Sequence, residues 1–165
     1  MEPQTMQTPQ AAKQHAPKTP FVKGRHTYRA GCHCGAWRYE IALDLTPGTT
    51  RCNCTWCSKH GWWGAIAKPE DFRLLAAPET QREAAEKTPG LYEVFRPHCT
   101  VCGVIPFGRG DIPEIGGQYV SVNVRALEGV TLSGVTVRYL DGLHDTWAVV
   151  REATFDDPFA VMDIR

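Results

Sequence analysis

Seven cysteines are the residues of this chain whose types and spacing point most directly to chemistry, because thiolates bind metal ions and act as nucleophiles. They form three groups along the sequence: Cys32 and Cys34, then Cys52, Cys54 and Cys57, then Cys99 and Cys102. An odd number of cysteines cannot all be paired in disulfides. The clustering therefore favours metal binding or catalysis over crosslinking.

The last group has the form of half a zinc site. Cys99 and Cys102 make a C-x-x-C motif followed by Gly103, which turns both thiolates toward an ion about 2.3 Å away. Cys32 and Cys34, with a glycine on either side, form a shorter turn of the same kind. Together the two pairs can supply the four sulfurs of one closed structural zinc site.

The middle group then consists of three thiols on one short segment, Cys52, Cys54 and Cys57. A zinc site with three protein ligands keeps an open fourth position, which is typical of catalytic zinc. His60 could instead close the site as a fourth ligand, or the segment could hold no second metal ion at all. A further alternative joins Cys54 and Cys57 to the last C-x-x-C in a zinc-ribbon-like site, and spacing alone does not decide between these arrangements.

An open three-thiolate site favours a thiol as substrate. The complex would carry a net charge of about −1, which makes the ion a weak Lewis acid. A substrate thiol bound there would have its pKa lowered from about 8.5, and the resulting thiolate could attack a small carbonyl compound to give a hemithioacetal. Water activation of the kind used by zinc deaminases is disfavoured, because no H-x-E or C-x-E motif precedes the last C-x-x-C.

Strands are predicted to position these cysteines. Alternating, β-branched and aromatic composition predicts strands over 36–43, 91–95, 119–124 and 135–140. Helix-forming composition is confined to Glu79–Lys87, between two prolines. The Gly-rich segment Gly108–Asp111 is predicted to be a turn. The fold class is therefore predicted to be mostly β, with the cysteine groups where strands end or turn.

The overall composition describes one globular domain. The 165 residues carry 18 Lys+Arg and 18 Asp+Glu, so the formal charge is zero and no basic excess attracts nucleic acid. No apolar stretch approaches the roughly 18 residues of a membrane-spanning helix. The first 25 residues lack the apolar run of a signal peptide, which predicts a cytoplasmic location. We expect a disordered leader over 1–25, a zinc-binding domain over 26–155 and a C-terminal tail over 156–165.

The order and separation of the cysteine motifs resemble the glutathione-dependent formaldehyde-activating enzyme family, which includes the centromere-protein-V-like proteins. The likeness runs from about residue 26 to residue 150, and two departures lie next to the cysteines, at His60-Gly61-Trp62-Trp63 and at His98. The motifs that carry it are Gly31-Cys32-His33-Cys34-Gly35, Cys52-Asn53-Cys54-Thr55-Trp56-Cys57-Ser58-Lys59 and Cys99-Thr100-Val101-Cys102-Gly103.

This resemblance implies a β-tent fold, in which layered antiparallel sheets meet at zinc-bound turns. The implied activity is that of a carbon-sulfur lyase, in which formaldehyde and glutathione condense to S-(hydroxymethyl)glutathione. The implied partners are a small thiol and an aldehyde, and the sequence leaves the formation of a homo-oligomer open. Two zinc ions are implied: a structural one on Cys32, Cys34, Cys99 and Cys102, and a more labile, catalytic one on Cys52, Cys54 and Cys57.

Other side chains near the cysteines have both structural and functional interpretations. Trp62 and Trp63 could line a substrate pocket, although paired tryptophans in a strand usually belong to a core. Lys59, Arg51 and Arg109 could pair with the carboxylates of glutathione. The alternative function is a non-catalytic, zinc-stabilised module that binds another protein.

Overall fold

Strands dominate the residues that the computed structural model describes, which are 18–78, 85–87 and 93–158. In chain order they are β1 (Arg25–Gly31), β2 (Arg38–Asp44), β3 (Thr49–Cys52), β4 (Trp63–Ala67), β5 (Phe72–Ala76), β6 (Ala85–Lys87), β7 (Glu93–Phe95), β8 (Phe107–Ile112), β9 (Gly117–Asn123), β10 (Thr136–Leu140) and β11 (Val149–Thr154). Helix α1 spans Thr55–His60, and short 3-10 turns span Pro69–Asp71, Pro113–Ile115 and Val124–Ala126. None of the helices in these ranges is long and apolar enough to cross a membrane. The protein is mostly β, as the sequence predicts.

The described strands form two sheets. The smaller sheet has the order β1-β2-β5 and is antiparallel. The larger sheet has the order β11-β10-β3-β4-β9-β8-β7-β6, and all its neighbouring strands are antiparallel except β3 and β10. The parallel pair makes this sheet mixed rather than purely antiparallel. It also places Leu140, at the end of β10, opposite Cys52, at the end of β3.

The hydrophobic core joins the two sheets. Along β2 the side chains of Tyr39, Ile41 and Leu43 are buried and alternate with more exposed residues, as the period of a strand requires. Val122 of β9 belongs to the same core cluster. The buried hydroxyl of Tyr39 donates a hydrogen bond to Pro106 O at 2.9 Å, so its polar group is satisfied. This packing fixes the strand ends that carry the cysteines.

Most of the strand predictions are confirmed. The predicted strands 119–124 and 135–140 correspond to β9 and β10, and the predicted strand 36–43 corresponds to β2. Of the predicted strand 91–95, residues 93–95 form β7, and residues 91–92 lie outside the described residues.

Two predictions of local structure are wrong. Ala85–Lys87 form strand β6 and pair with β7, whereas residues 79–84 of the predicted helix lie outside the described residues. Helix nucleation is costly in a segment of about two turns, and pairing with β7 offers the backbone another set of partners. The predicted turn Gly108–Asp111 lies within β8. A Cβ at Gly110 would lie 2.8 Å from the ring of Tyr119, so the glycine there allows close strand packing rather than a turn.

The predicted leader and tail lie partly outside the described residues, which exclude 1–17 and 159–165. Within the described part, Thr19 N donates to Gly129 O at 2.9 Å, and Thr131 N donates to Thr19 O at 2.8 Å. The chain is therefore attached to the domain from Thr19 onward. The domain boundaries at residues 26 and 155 remain predictions.

Candidate metal centres

Four cysteine sulfurs converge from two distant segments of the chain. Cys32 and Cys34 follow β1, and Cys99 and Cys102 precede β8. The four sulfurs all lie within 4.8 Å of one another, and Cys34 Sγ is 3.5 Å from Cys32 Sγ and 3.4 Å from Cys99 Sγ. Sulfurs arranged tetrahedrally about 2.3 Å from a zinc ion are about 3.8 Å apart. The group therefore fits a tetrahedral zinc ion.

Tight backbone turns aim these sulfurs at a common point. Gly35 N donates to Cys32 O at 3.0 Å, and Gly103 N donates to Cys99 O at 2.7 Å. Both glycines have positive φ angles, 80° and 73°, which other residues adopt only at a cost. The N–H of Trp37 donates to Cys32 Sγ at 3.3 Å. Gly35, Gly103 and Trp37 thus help to determine the direction in which the sulfurs of each cysteine pair point.

Burial places two members of the four-cysteine group in the scaffold, whereas Cys34 and Cys102 are partly exposed. Cys32 and Cys99 are 4% and 1% exposed and belong to the hydrophobic core. Burial raises the pKa of the Cys34 thiol to about 12. Burial also acts to raise the pKa of Cys99, but hydrogen bonds from the backbone of Cys102 and Val101 outweigh it and lower the pKa to about 6. A bound divalent cation would allow all four sulfurs to be thiolates at the same time.

The middle cysteines form a second group around the start of α1. Cys52 ends β3, Cys54 is the N-cap of α1, and Cys57 lies in the helix. Their sulfurs also lie within 4.8 Å of one another, and all three side chains are partly exposed. Cys54 N donates to Cys52 Sγ at 3.3 Å, and Cys57 N donates to Cys54 Sγ at 3.4 Å. Such N–H donors stabilise thiolates and orient them toward a metal.

The three thiols differ in how readily they ionise. Burial raises the pKa of both Cys52 and Cys57. Burial acts in the same direction on Cys54, but the hydrogen bonds donated by Cys57 outweigh it and lower the Cys54 pKa. A soft divalent cation such as zinc fits this donor set, because it would stabilise the two thiolates that are otherwise hard to form.

Two alternatives that the sequence leaves open for this group, ligation by His60 and a zinc ribbon, are not the arrangement found. The ring of His60 stacks on Trp56 with centroids 4.3 Å apart, and its Nδ1 lies 2.9 Å from Trp56 O. Among the residues that the structure describes, the second group that could hold a metal ion contains the three cysteines and no histidine or carboxylate. The last C-x-x-C is grouped with Cys32 and Cys34, not with Cys54 and Cys57 as a zinc ribbon would require.

A loop after β10 lies directly against the three-cysteine group. Gly142 is so close that a Cβ there would lie 2.4 Å from Cys52 Sγ and 3.2 Å from Cys54 Cβ. The same point is 3.2 Å from Cζ3 of Trp147. Only glycine leaves room for the sulfur and the ring edge at this position.

Asn53 attaches this loop to the cysteine segment. Its Nδ2 donates to Asp141 Oδ1 at 3.1 Å, its Oδ1 accepts from Leu143 N at 2.8 Å, and its N donates to Leu140 O at 3.2 Å. Hydrogen bonds from His144 and Asn53 hold the pKa of Asp141 below its usual range. Asn53 is not among the site residues predicted from the sequence, and its place between two cysteines was the available signal.

The two tryptophans predicted as pocket candidates have different environments. Trp63 is buried in the core, and its Nε1 donates to Thr49 Oγ1 at 2.6 Å, so it contributes to packing. Trp62 is half-buried, and its ring centroid lies 5.6 Å from that of Trp56 on α1. Of the pair, Trp62 is therefore the one that lies beside the helix of the three-cysteine group.

The predicted cationic residues are dispersed over the molecule. Lys59 is exposed in the last turn of α1. Arg51 lies 6.0 Å from the ring centroid of Trp63, and Arg109 lies on β8. Arg96, which the sequence did not indicate, has its Cζ 4.0 Å from the ring centroid of Trp56. Positive charge near α1 therefore comes from Lys59 and Arg96.

The close approach at Gly142 gives a first prediction. In Gly142→Ala the new methyl group would overlap Cys52 Sγ, so the loop or the cysteine must move. We expect the affinity of the three-cysteine group for zinc to fall by about 10-fold or more, as when a supporting contact of a metal ligand is lost. Competition with a chromophoric chelator measures this affinity. Leu143→Ala, which keeps the backbone bond to Asn53, is the matched control, and equal zinc retention in both variants would contradict the prediction.

The fold and the two cysteine groups define a mostly β protein with two places that could each hold a metal ion. Residues 27–138, more than half of the chain, match the model of the family described as glutathione-dependent formaldehyde-activating enzyme. The chain belongs to this family, which confirms the resemblance seen in the cysteine motifs.

A solved structure is similar as well. It is the crystal structure of a Rhodobacter sphaeroides protein that is 27% identical in sequence, with a TM-score of 0.51. The match covers 62% of this chain and 90% of that chain.

Proposed function

We propose that this protein is a zinc-dependent enzyme that joins a glutathione-like thiol to formaldehyde or another small aldehyde, with carbon-sulfur lyase as its reaction class. Membership of the family supports the proposal. The observation that carries it is the contrast between the two groups, because one has four sulfurs, with Cys32 and Cys99 buried, and the other has only three, all of them partly exposed. We assign the structural zinc to Cys32, Cys34, Cys99 and Cys102, and the catalytic zinc to Cys52, Cys54 and Cys57.

The residues around the three-cysteine group suit a thiol substrate. When bound, zinc supplies the positive charge that lowers the pKa of a substrate thiol and keeps it as a thiolate. Cys52, Cys54 and Cys57 donate strongly enough to disfavour the activation of water. The backbone N–H groups of Cys54 and Cys57 hold two of the sulfurs in place, and Asn53 fixes the turn between the first two cysteines.

The reaction is an addition of sulfur to a carbonyl carbon. The thiolate forms a carbon-sulfur bond to the aldehyde carbon, and the electron pair of the C=O π bond moves to the oxygen. The oxygen then takes a proton from water, which gives a hydroxymethyl sulfide, and the reverse steps release the aldehyde and the thiol. The protein contributes by holding the thiolate in a fixed position for attack.

Positively charged side chains lie on and beside helix α1. The helix carries Lys59 in its last turn and no acidic residue in its first turn. Arg96 packs on Trp56 of the same helix. Carboxylates such as those of glutathione would meet complementary charge here. We place the enzyme in the cytoplasm, because both groups need reduced thiols and the seven cysteines are free of disulfides.

Calorimetric titration of metal-quantified protein with glutathione tests the proposal. We expect heat of binding with glutathione and a much smaller heat with S-methylglutathione, which has the same charges but no thiol to ionise. Formaldehyde consumption in the presence of glutathione should exceed the spontaneous rate. Two tightly held zinc ions with no thiol-dependent heat would contradict the proposal and favour the non-catalytic, zinc-stabilised interaction module.

A further inference from the structure

We infer that Trp147 forms one wall of the thiol-binding site and contacts the carbon atoms next to the substrate sulfur. The inference rests on the function proposed above and names a residue that determines how tightly the thiol binds. Trp147 belongs to the loop between β10 and β11 and is far in sequence from every cysteine.

The ring of Trp147 lies near the three-cysteine group. The point where a Cβ of Gly142 would stand is 2.4 Å from Cys52 Sγ, 3.2 Å from Cys54 Cβ and 3.2 Å from Trp147 Cζ3. Two members of the three-cysteine group and the edge of the indole therefore all lie close to Gly142. In the proposed arrangement, a thiol bound to a metal ion on these sulfurs would contact that edge.

The side chain of Trp147 is also unusually exposed for a tryptophan. Trp147 is 55% exposed, although an indole ring is large and usually buries most of its surface. Small-molecule sites typically combine apolar and aromatic walls with a few polar or metal-binding groups. An exposed aromatic ring beside three partly exposed sulfurs has this composition.

The backbone of Trp147 has a conformation that is rare for residues other than glycine. Its φ is 55°, in the left-handed region that residues other than glycine rarely adopt. Trp147 N donates to Asp141 O at 3.0 Å, and Thr146 Oγ1 donates to the same oxygen at 3.2 Å. Asp141 is in turn bonded to Asn53 within the cysteine segment. The same network that fixes the cysteine turn thus holds the tryptophan in a strained conformation, as is common at ligand-contact positions.

The chemistry of a bound thiol suits this wall. Sulfur and the adjacent CH₂ groups pack favourably against aromatic ring edges. The ring would also shield one side of the thiolate from water, which strengthens its interaction with a positive charge. Because the contact would be made to the thiol in both the ground state and the transition state, its loss should raise KM more than it lowers kcat.

Two variants at position 147 test the inference. Trp147→Asn removes the ring but introduces a residue that tolerates positive φ, so the loop can keep its shape. We expect KM for glutathione to rise about 10-fold and kcat to change by less than about 3-fold. Trp147→Phe, which restores an aromatic ring, should return KM to within about 3-fold of wild type. Zinc per chain is measured for each variant and should equal that of wild type.

Val150→Asn is the matched control, because Val150 is an apolar residue of neighbouring β11 that is 63% exposed. It should leave KM unchanged. A wild-type protein without thiol-dependent activity would overturn the proposed function and this inference with it. An active wild type whose KM is unaffected by Trp147→Asn would overturn the inference alone, and so would a Trp147→Asn protein that loses zinc.

Discussion

Cys99→Ser is expected to leave the domain unfolded at 25 °C. Cys99 is 1% exposed, lies in the hydrophobic core and belongs to the four-sulfur group. A structural zinc site contributes about 10–16 kcal/mol to folding, which is comparable to or larger than the roughly 5–15 kcal/mol stability of a whole domain. Far-UV circular dichroism and zinc analysis of the purified protein measure the loss.

Val101→Ser provides the control for that variant. Val101 lies in the same C-x-x-C turn but is 73% exposed, so the substitution changes the turn without touching the metal ligands. Its melting temperature should lie within a few degrees of wild type, as is usual for substitutions at exposed sites. A cooperative transition of Cys99→Ser at the wild-type midpoint would show that the four-cysteine group does not stabilise the fold.

Cys54→Ser is expected to have the second large effect, on activity instead of folding. Cys54 is partly exposed and lies outside the core cluster, so its loss should leave the fold intact. The three-cysteine group would keep two thiolates, and its zinc should be lost. We expect kcat/KM for thiol-dependent formaldehyde consumption to fall by about 10³-fold or more, because the ion proposed to activate the thiol would be absent.

Zinc stoichiometry and thermal melting accompany the activity measurement of Cys54→Ser. The expected values are one zinc ion per chain and a transition close to that of wild type. Thr55→Ser, at an exposed neighbouring position, is the control and should retain both ions. If Cys54→Ser and Cys99→Ser unfold alike, the division into a catalytic and a structural group is wrong.

The individual cysteine turns could be predicted because they follow from local geometry, whereas spacing alone left open which turns share an ion. A C-x-x-C motif such as Cys99 and Cys102 places two sulfurs on one side of a turn wherever it occurs, and zinc accepts four. The strands over β9 and β10 were predictable for a similar reason, since alternation of apolar residues reflects burial of one face. These features require only information carried by neighbouring residues.

The remaining features depend on contacts between distant segments. Asn53 and Asp141 are 88 residues apart, and they meet because β3 and β10 are paired in parallel. No spacing rule links Gly142 to Cys52, which it contacts through that pairing. The error at Ala85–Lys87 has the same origin, because pairing with β7 overrides the helical propensity of the segment.

The distance in sequence between the cysteine segment and its loop also sets an order of events during translation. Cys52, Cys54 and Cys57 leave the ribosome together, whereas Asp141 follows 88 residues after Asn53. At a synthesis rate of about 5–20 residues per second, that interval lasts roughly 4–18 s. The set of four is incomplete for much of this time, because Cys99 follows Cys34 by 65 residues. The thiols of Cys52, Cys54 and Cys57 are therefore synthesised before the loop that packs against them.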